Sequence, residues 1–122
     1  MLIFAKTLLV KYFETRFLEE ADKFIAKLDR KAAKKIFYNI DIAEQTNDPR
    51  LFKKLKNEIW EFRTLYAGAQ IRLLAFWDKT EAAHTLVFAT QGFIKKEQKT
   101  PAEEIARAER IRKKYFELKN KK

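Results

Sequence analysis

Ile59-Trp60-Glu61-Phe62-Arg63 alternates apolar and charged residues one by one. A period of two is that of a strand with one buried and one open face. Upstream, Phe13, Phe17, Ala21, Phe24 and Leu28 recur at steps of three and four, as do Ala33, Phe37, Ile40 and Ala43 or Glu44. That is the period of amphipathic helices, here two antiparallel ones joined around Asp29-Arg30. Asn47-Asp48-Pro49 stops the second helix and caps a short turn through Leu51, Phe52 and Leu55. Downstream the period stays at two. Tyr66-Ala67-Gly68-Ala69 reads as a turn, Ile71 to Trp77 as a second strand, and Thr85 to Thr90 as a third that Gly92 ends. Thr100-Pro101-Ala102-Glu103 has the spacing of a capping box and opens a last helix, with Ile105, Ala108, Ile111, Tyr115 and Leu118 as its apolar stripe. Leu2 to Val10, apolar apart from Lys6 and Thr7, reads as a first strand. It lacks the basic start and small-residue cleavage site of a signal peptide. The expected fold class is α+β: two N-terminal helices packed on a twisted, mainly antiparallel sheet, with a C-terminal helix.

The bulk numbers set limits on this reading. The 122 residues suit a single domain, 1–122, with one modest core. Lys and Arg number 27 against 17 Asp and Glu, a formal net charge of +10, which favours polyanionic partners. A hydrophobic fraction of 47% argues against disorder. Without cysteine there is no disulfide or thiol chemistry. No uncharged run is long enough to span a membrane, so a cytoplasmic protein without a membrane partner is expected.

Chemistry concentrates in Gly92-Phe93-Ile94-Lys95-Lys96-Glu97-Gln98-Lys99-Thr100-Pro101, a basic loop between a strand end and a helix start. Cations fixed there are well placed to hold phosphate, and Arg72 lies in the neighbouring strand. Each residue also has a plain reading. Loop lysines are usually just solvated, and Arg72 can pair with Glu61 across the sheet. Glu61 and Arg63 share a strand face and can be structural partners. Arg107, Arg110, Arg112, Lys113 and Lys114 make a basic face on the last helix, either solvated or meeting RNA or an acidic protein. Tyr66 and Phe93 can stack on a base or fill the core. Trp60, Phe62, Phe76 and Phe88 read as core. His84, the one histidine, reads as a surface residue, which rules out a two-histidine mechanism.

Leu55-Lys56-Asn57-Glu58-Ile59-Trp60-Glu61-Phe62-Arg63, then Ile71-Arg72, then Gly92-Phe93-Ile94-Lys95-Lys96 with Gln98-Lys99-Thr100-Pro101, then Ala108, together with the element order, resemble the RelE superfamily of bacterial toxins, in particular its phage-related HigB-like branch. The resemblance implies the toxin of a type II toxin–antitoxin system: a metal-independent, cofactor-free endoribonuclease that cuts messenger RNA on the ribosome. Its implied partners are the ribosome and an antitoxin that carries a helix-turn-helix domain. Such cleavage uses the neighbouring 2′-OH as nucleophile. The protein must take its proton, stabilise charge on phosphorus and protonate the leaving 5′ oxygen. Arg72 is the candidate for the charge, because a guanidinium bridges two phosphate oxygens. Lys95 and Lys96 are candidates to hold or protonate phosphate, and Glu61 is the candidate base. Arg63, Gln91, Lys99, Arg110, Lys113 and Lys114 are candidate RNA contacts. The chain departs from the branch at Gln91, where the pattern often has histidine; glutamine can orient a phosphate or ribose but cannot exchange a proton near neutral pH. The fold leaves two alternatives open, a toxin acting on DNA gyrase and a non-catalytic RNA-binding module.

Overall fold

A computed structural model describes residues 11–121. The chain runs β1 (Glu14–Phe17), α1 (Glu19–Ala26), α2 (Arg30–Thr46), β2 (Phe52–Lys56), β3 (Ile59–Tyr66), β4 (Ala69–Asp78), β5 (Leu86–Lys95) and α3 (Ala102–Asn120). The strands form one open sheet in the order β1-β5-β4-β3-β2, antiparallel except that β1 runs parallel to β5. The α+β class and the meander agree with the sequence reading. The expected strand Leu2–Val10 lies outside the described residues.

The alternation in β3 and β4 divides the core in two. Phe62, Ile71, Leu73 and Ala75 point to one side, where Ile25 of α1 and Ile36 and Ile40 of α2 meet them. Ile59, Leu74 and Phe76 point to the other, under Ala108, Ile105, Tyr115 and Phe116 of α3. The sheet is therefore covered on both faces, and this is why β4 is buried almost from end to end.

Several expectations are corrected. The first helix does not begin at Phe13. Residues Glu14–Phe17 are extended, because β1 completes the sheet beside β5 and buries Phe13 against Phe52 and Phe62. Phe52 to Lys56 is a strand and not a short turn; it forms a hairpin with β3 through Asn57, at φ 54°. In α2 the buried face is Ala32, Ile36, Ile40 and Ala43, with Phe37 45% exposed. Gly92 does not end the third meander strand. β5 continues to Lys95, and Gly92 lies under the Phe24 ring, where a Cβ would come within 2.6 Å of Cε2. No capping box forms: α3 starts after Pro101 without a side-chain cap, and Thr100 bonds to Glu61 instead. Leu118, expected in the apolar stripe, is exposed, and Phe116 packs in its place. The turn at Ala67 and Gly68 is as read, both at positive φ, the pattern of a two-residue hairpin loop.

Candidate nucleic-acid interface

On the sheet face that carries α3, each strand changes character along its length. In β4 the order is Phe76, Leu74, Arg72, Gln70; in β3 it is Ile59, Glu61, Arg63, Leu65; β5 ends with Phe93 and Lys95. Register aligns these gradients, since Arg63 pairs with Arg72 and Gln70 with Lys95. α3 covers the apolar end. The chain enters α3 only at Ala102, after the loop, so the cationic end stays open.

Glu61 is the centre of the polar part. Its carboxylate is 2% exposed and accepts a short hydrogen bond from the Thr100 hydroxyl, which ties the basic loop to the sheet. Its two oxygens lie 3.6 Å from Arg72 Nε and 3.7 Å from Arg63 Nε. The guanidiniums differ in exposure. Arg72 is 4% exposed and donates to the Ile71 carbonyl (3.1 Å) and to Gln70 Oε1 (2.8 Å), while its buried Nε has no hydrogen-bond partner. Burial weakens proton binding at Arg72, Glu61 opposes that, and Arg63 reinforces it; the guanidinium still stays charged. Arg63 has a third of its side chain open to solvent.

Three hollows meet at Arg63. One is walled by Lys53, Lys54, Lys56, Lys95 and Lys99. The second lies between Gln70, Lys95, Lys96, Glu97 and Gln98. The third reaches α2 and contains Lys35, Arg50 and Arg72. Arg63 lines all three. Lys95 and Lys96 thus share hollows with Arg63, whereas Arg72 opens only into the third. Lys99 joins the first.

Other candidates stand apart. Gln91 is 1% exposed, and its amide donates to the backbone oxygen (2.8 Å) and carboxylate (3.2 Å) of Glu104, locking the first turn of α3. Arg110 and Lys113 are exposed on α3 away from the three hollows, and Lys114 borders a separate one beside Leu18 and Thr90. The rest of that basic face is divided: Arg107 pairs with Glu20, and Arg112 lies over the Phe116 ring. His84 is exposed, as read. Tyr66 and Phe93 pack against the two cores.

The sequence reading missed Lys53, Lys54, Lys56, Lys35 and Arg50. The signal was present in Phe52-Lys53-Lys54-Leu55-Lys56. Read as a strand, it sets Lys53 opposite Glu61, and its lysines mark the open edge of the sheet. Among the described residues no group of three or more His, Cys, Asp or Glu could hold a metal ion, and no helix is long and apolar enough to cross a membrane.

The sequence model of one family, Phage derived protein Gp49-like (DUF891), matches residues 23–113, about three quarters of the chain. The matched span holds every candidate site residue except Lys114. No curated protein matches the chain.

Proposed function

We propose, from the premise that this chain belongs to the Gp49-like phage-derived protein family, a toxin-like family within the RelE superfamily, that it is a ribosome-dependent messenger RNA endoribonuclease. Toxins of this kind imply an antitoxin partner; a helix-turn-helix antitoxin is part of the proposal. The observation that carries the reading is the position of Arg63, a half-open guanidinium at the junction of three hollows lined by lysine and arginine.

The chemistry follows from that position. The 2′-OH gives its proton to solvent water as it attacks phosphorus, the bond to the 5′ oxygen breaks as that oxygen takes a proton from Lys96, and a cyclic phosphate and a 5′-hydroxyl result. Arg63 and Lys95 meet the non-bridging oxygens as charge builds on them, which is normally the largest catalytic term. Lys96 is exposed at the rim and is placed to deliver the proton to the leaving oxygen. Glu61, between the two guanidiniums, holds Arg63 in place, and Arg72 stands behind it. Glu61 is committed to Thr100 and to two cations, so it acts as a positioning residue and not as the base. No described side chain then serves as a strong base. Cleavage of free RNA should be slow, and the ribosome should be needed to align the 2′-OH.

Induction of the chain alone, followed by mapping of messenger RNA 5′ ends, tests this. New ends within translated regions, suppressed by co-expression of the antitoxin, are expected. Growth arrest without new ends would defeat the ribonuclease reading. Arrest with altered DNA supercoiling would move the target to gyrase.

A further inference from the structure

The third hollow, of about 600 Å³, lies between α2 and the β3–β4 hairpin, on the far side of Arg63 from the basic loop. Its cations are Lys35, Arg50, Arg63 and Arg72, and no carboxylate lines it. Two carboxylates act from behind. Asp48 holds Arg50 through three side-chain bonds of 2.8–3.2 Å, and Glu61 sits between Arg63 and Arg72. Asn39, 9% exposed, braces the floor with its amide directed to Thr64 Oγ1 at 3.3 Å. Arg72, deeply buried, lines the same wall, with its Nε 3.6 Å from Glu61. Four cations line the hollow and no carboxylate does, and the two carboxylates behind the wall leave positive charge in excess on it. An anion in the hollow balances that excess.

We propose that this hollow holds a second phosphodiester of the same single-stranded RNA, one station along the strand from the group gripped by Arg63 and Lys95. Arg63, common to these three hollows, stands between the two stations and sets their spacing. Lys35 and Arg50 are therefore binding residues and not catalytic ones. Their function is to fix the register of the strand. This inference rests on the RNA reading above.

The test uses oligouridylate as the probe, with the full chain and two double variants, Lys35→Ala/Arg50→Ala and Lys53→Ala/Lys54→Ala, each followed by fluorescence anisotropy over a series of salt concentrations. All four residues are exposed, so both variants should keep the wild-type circular dichroism. For single strands the salt slope falls by about 0.7 for each phosphate that the protein no longer neutralises. Lys35→Ala/Arg50→Ala should lower the slope by at least that amount and weaken long oligouridylate much more than a dinucleotide, which cannot reach both stations. If the Lys53→Ala/Lys54→Ala variant loses affinity while Lys35→Ala/Arg50→Ala matches wild type in affinity and slope, the second station is refuted and the RNA reading survives. If the full chain shows no salt-dependent binding of oligouridylate, the second station is refuted, and the RNA reading is decided by the mapping of messenger RNA ends. Equal weakening of the dinucleotide and the long strand would also overturn the proposal, since it would make the hollow part of the first station.

Discussion

Two polar clusters flank α3, and they are built differently. At its C-terminal end Asp78, 1% exposed, accepts from Tyr115 (2.6 Å), Lys119 (2.7 Å), the Thr80 hydroxyl (2.6 Å) and the Thr80 amide (2.9 Å). Every one of those donors is spent on the protein itself. At the N-terminal end Glu61 meets Arg63 and Arg72 at 3.6–3.7 Å, longer than a hydrogen bond, and Arg72 keeps a buried donor unused. The closed cluster fastens the end of α3 to β4. The open one holds positive charge in readiness beside solvent. The difference separates a network closed on itself from one with cationic donors left over, although both are buried carboxylates with cationic neighbours.

Substitutions at five positions break or sharpen that contrast. Arg63→Ala should have the largest effect, lowering cleavage by about 10²–10³-fold with little change in melting temperature. A steep fall in melting temperature, with residual activity per folded molecule intact, would make the open cluster structural as well. Asp78→Ala should do the reverse, costing about 3 kcal/mol in urea unfolding, because it strands Tyr115 and Lys119.

The same cluster has a pH signature. Burial alone would raise Asp78, but the bonds from Lys119, Thr80 and Tyr115 outweigh it and hold its carboxyl well below the ordinary range. A lowered folded value means stability that is present above the unfolded value of about 3.9 and lost as pH falls below it. Burial and the Asp78 charge push Tyr115 up to about 12, so its share persists below about pH 10 and is lost between there and 12. Unfolding of Asp78→Asn should therefore show a flatter acid limb than wild type; identical acid limbs would remove Asp78 as the cause.

Glu61→Gln should destabilise by roughly 1–3 kcal/mol, since two guanidiniums lose their counter-charge, and slow cleavage less than tenfold. A loss of about 10²–10⁴-fold would restore Glu61 as general base. Thr100→Val should cost about 1 kcal/mol by freeing the loop from Glu61, and should weaken RNA binding through misplaced Lys95 and Lys99. Glu103→Ala should stay within about 0.5 kcal/mol of wild type by thermal melting. A larger loss would show that the capping box forms after all.

Where periodicity is strong, the sequence and the fold agree. Trp60 to Arg63, the turn at Ala67-Gly68, and the helix stop at Asn47, which takes the left-handed conformation at φ 55°, were all legible. The misreadings share one cause. Phe13 and Phe17 fit a helical period and a strand period equally well, and only the vacant edge of β5 selects the strand. Phe52 fits a helical turn until Phe62 is available to stack on it at 4.2 Å. Thr100 has two acceptable partners, the free amides of α3 or Glu61, and the sheet brings the carboxylate nearer.

The candidate site follows the same division. Local sequence determined which residue types are present: a lysine-rich loop, an arginine in each of two adjacent strands, and a carboxylate two residues from one of them. It also determined that Glu61 and Arg63 share a face, because side chains alternate along a strand. Tertiary structure decided which guanidinium is buried and which is open. The sequence reading gave Arg72 the phosphate charge and Arg63 a lesser RNA contact, but Arg72 lies on a central strand between β3 and β5, while Arg63 stands nearer the edge. Tertiary structure also decided where the groove opens, because α3 has apolar residues enough to cover Leu74 and Phe76 and stops short of the cations. Burying Arg63 and the loop lysines under a helix would have cost their hydration with no further anion in return, and the chain leaves them beside water.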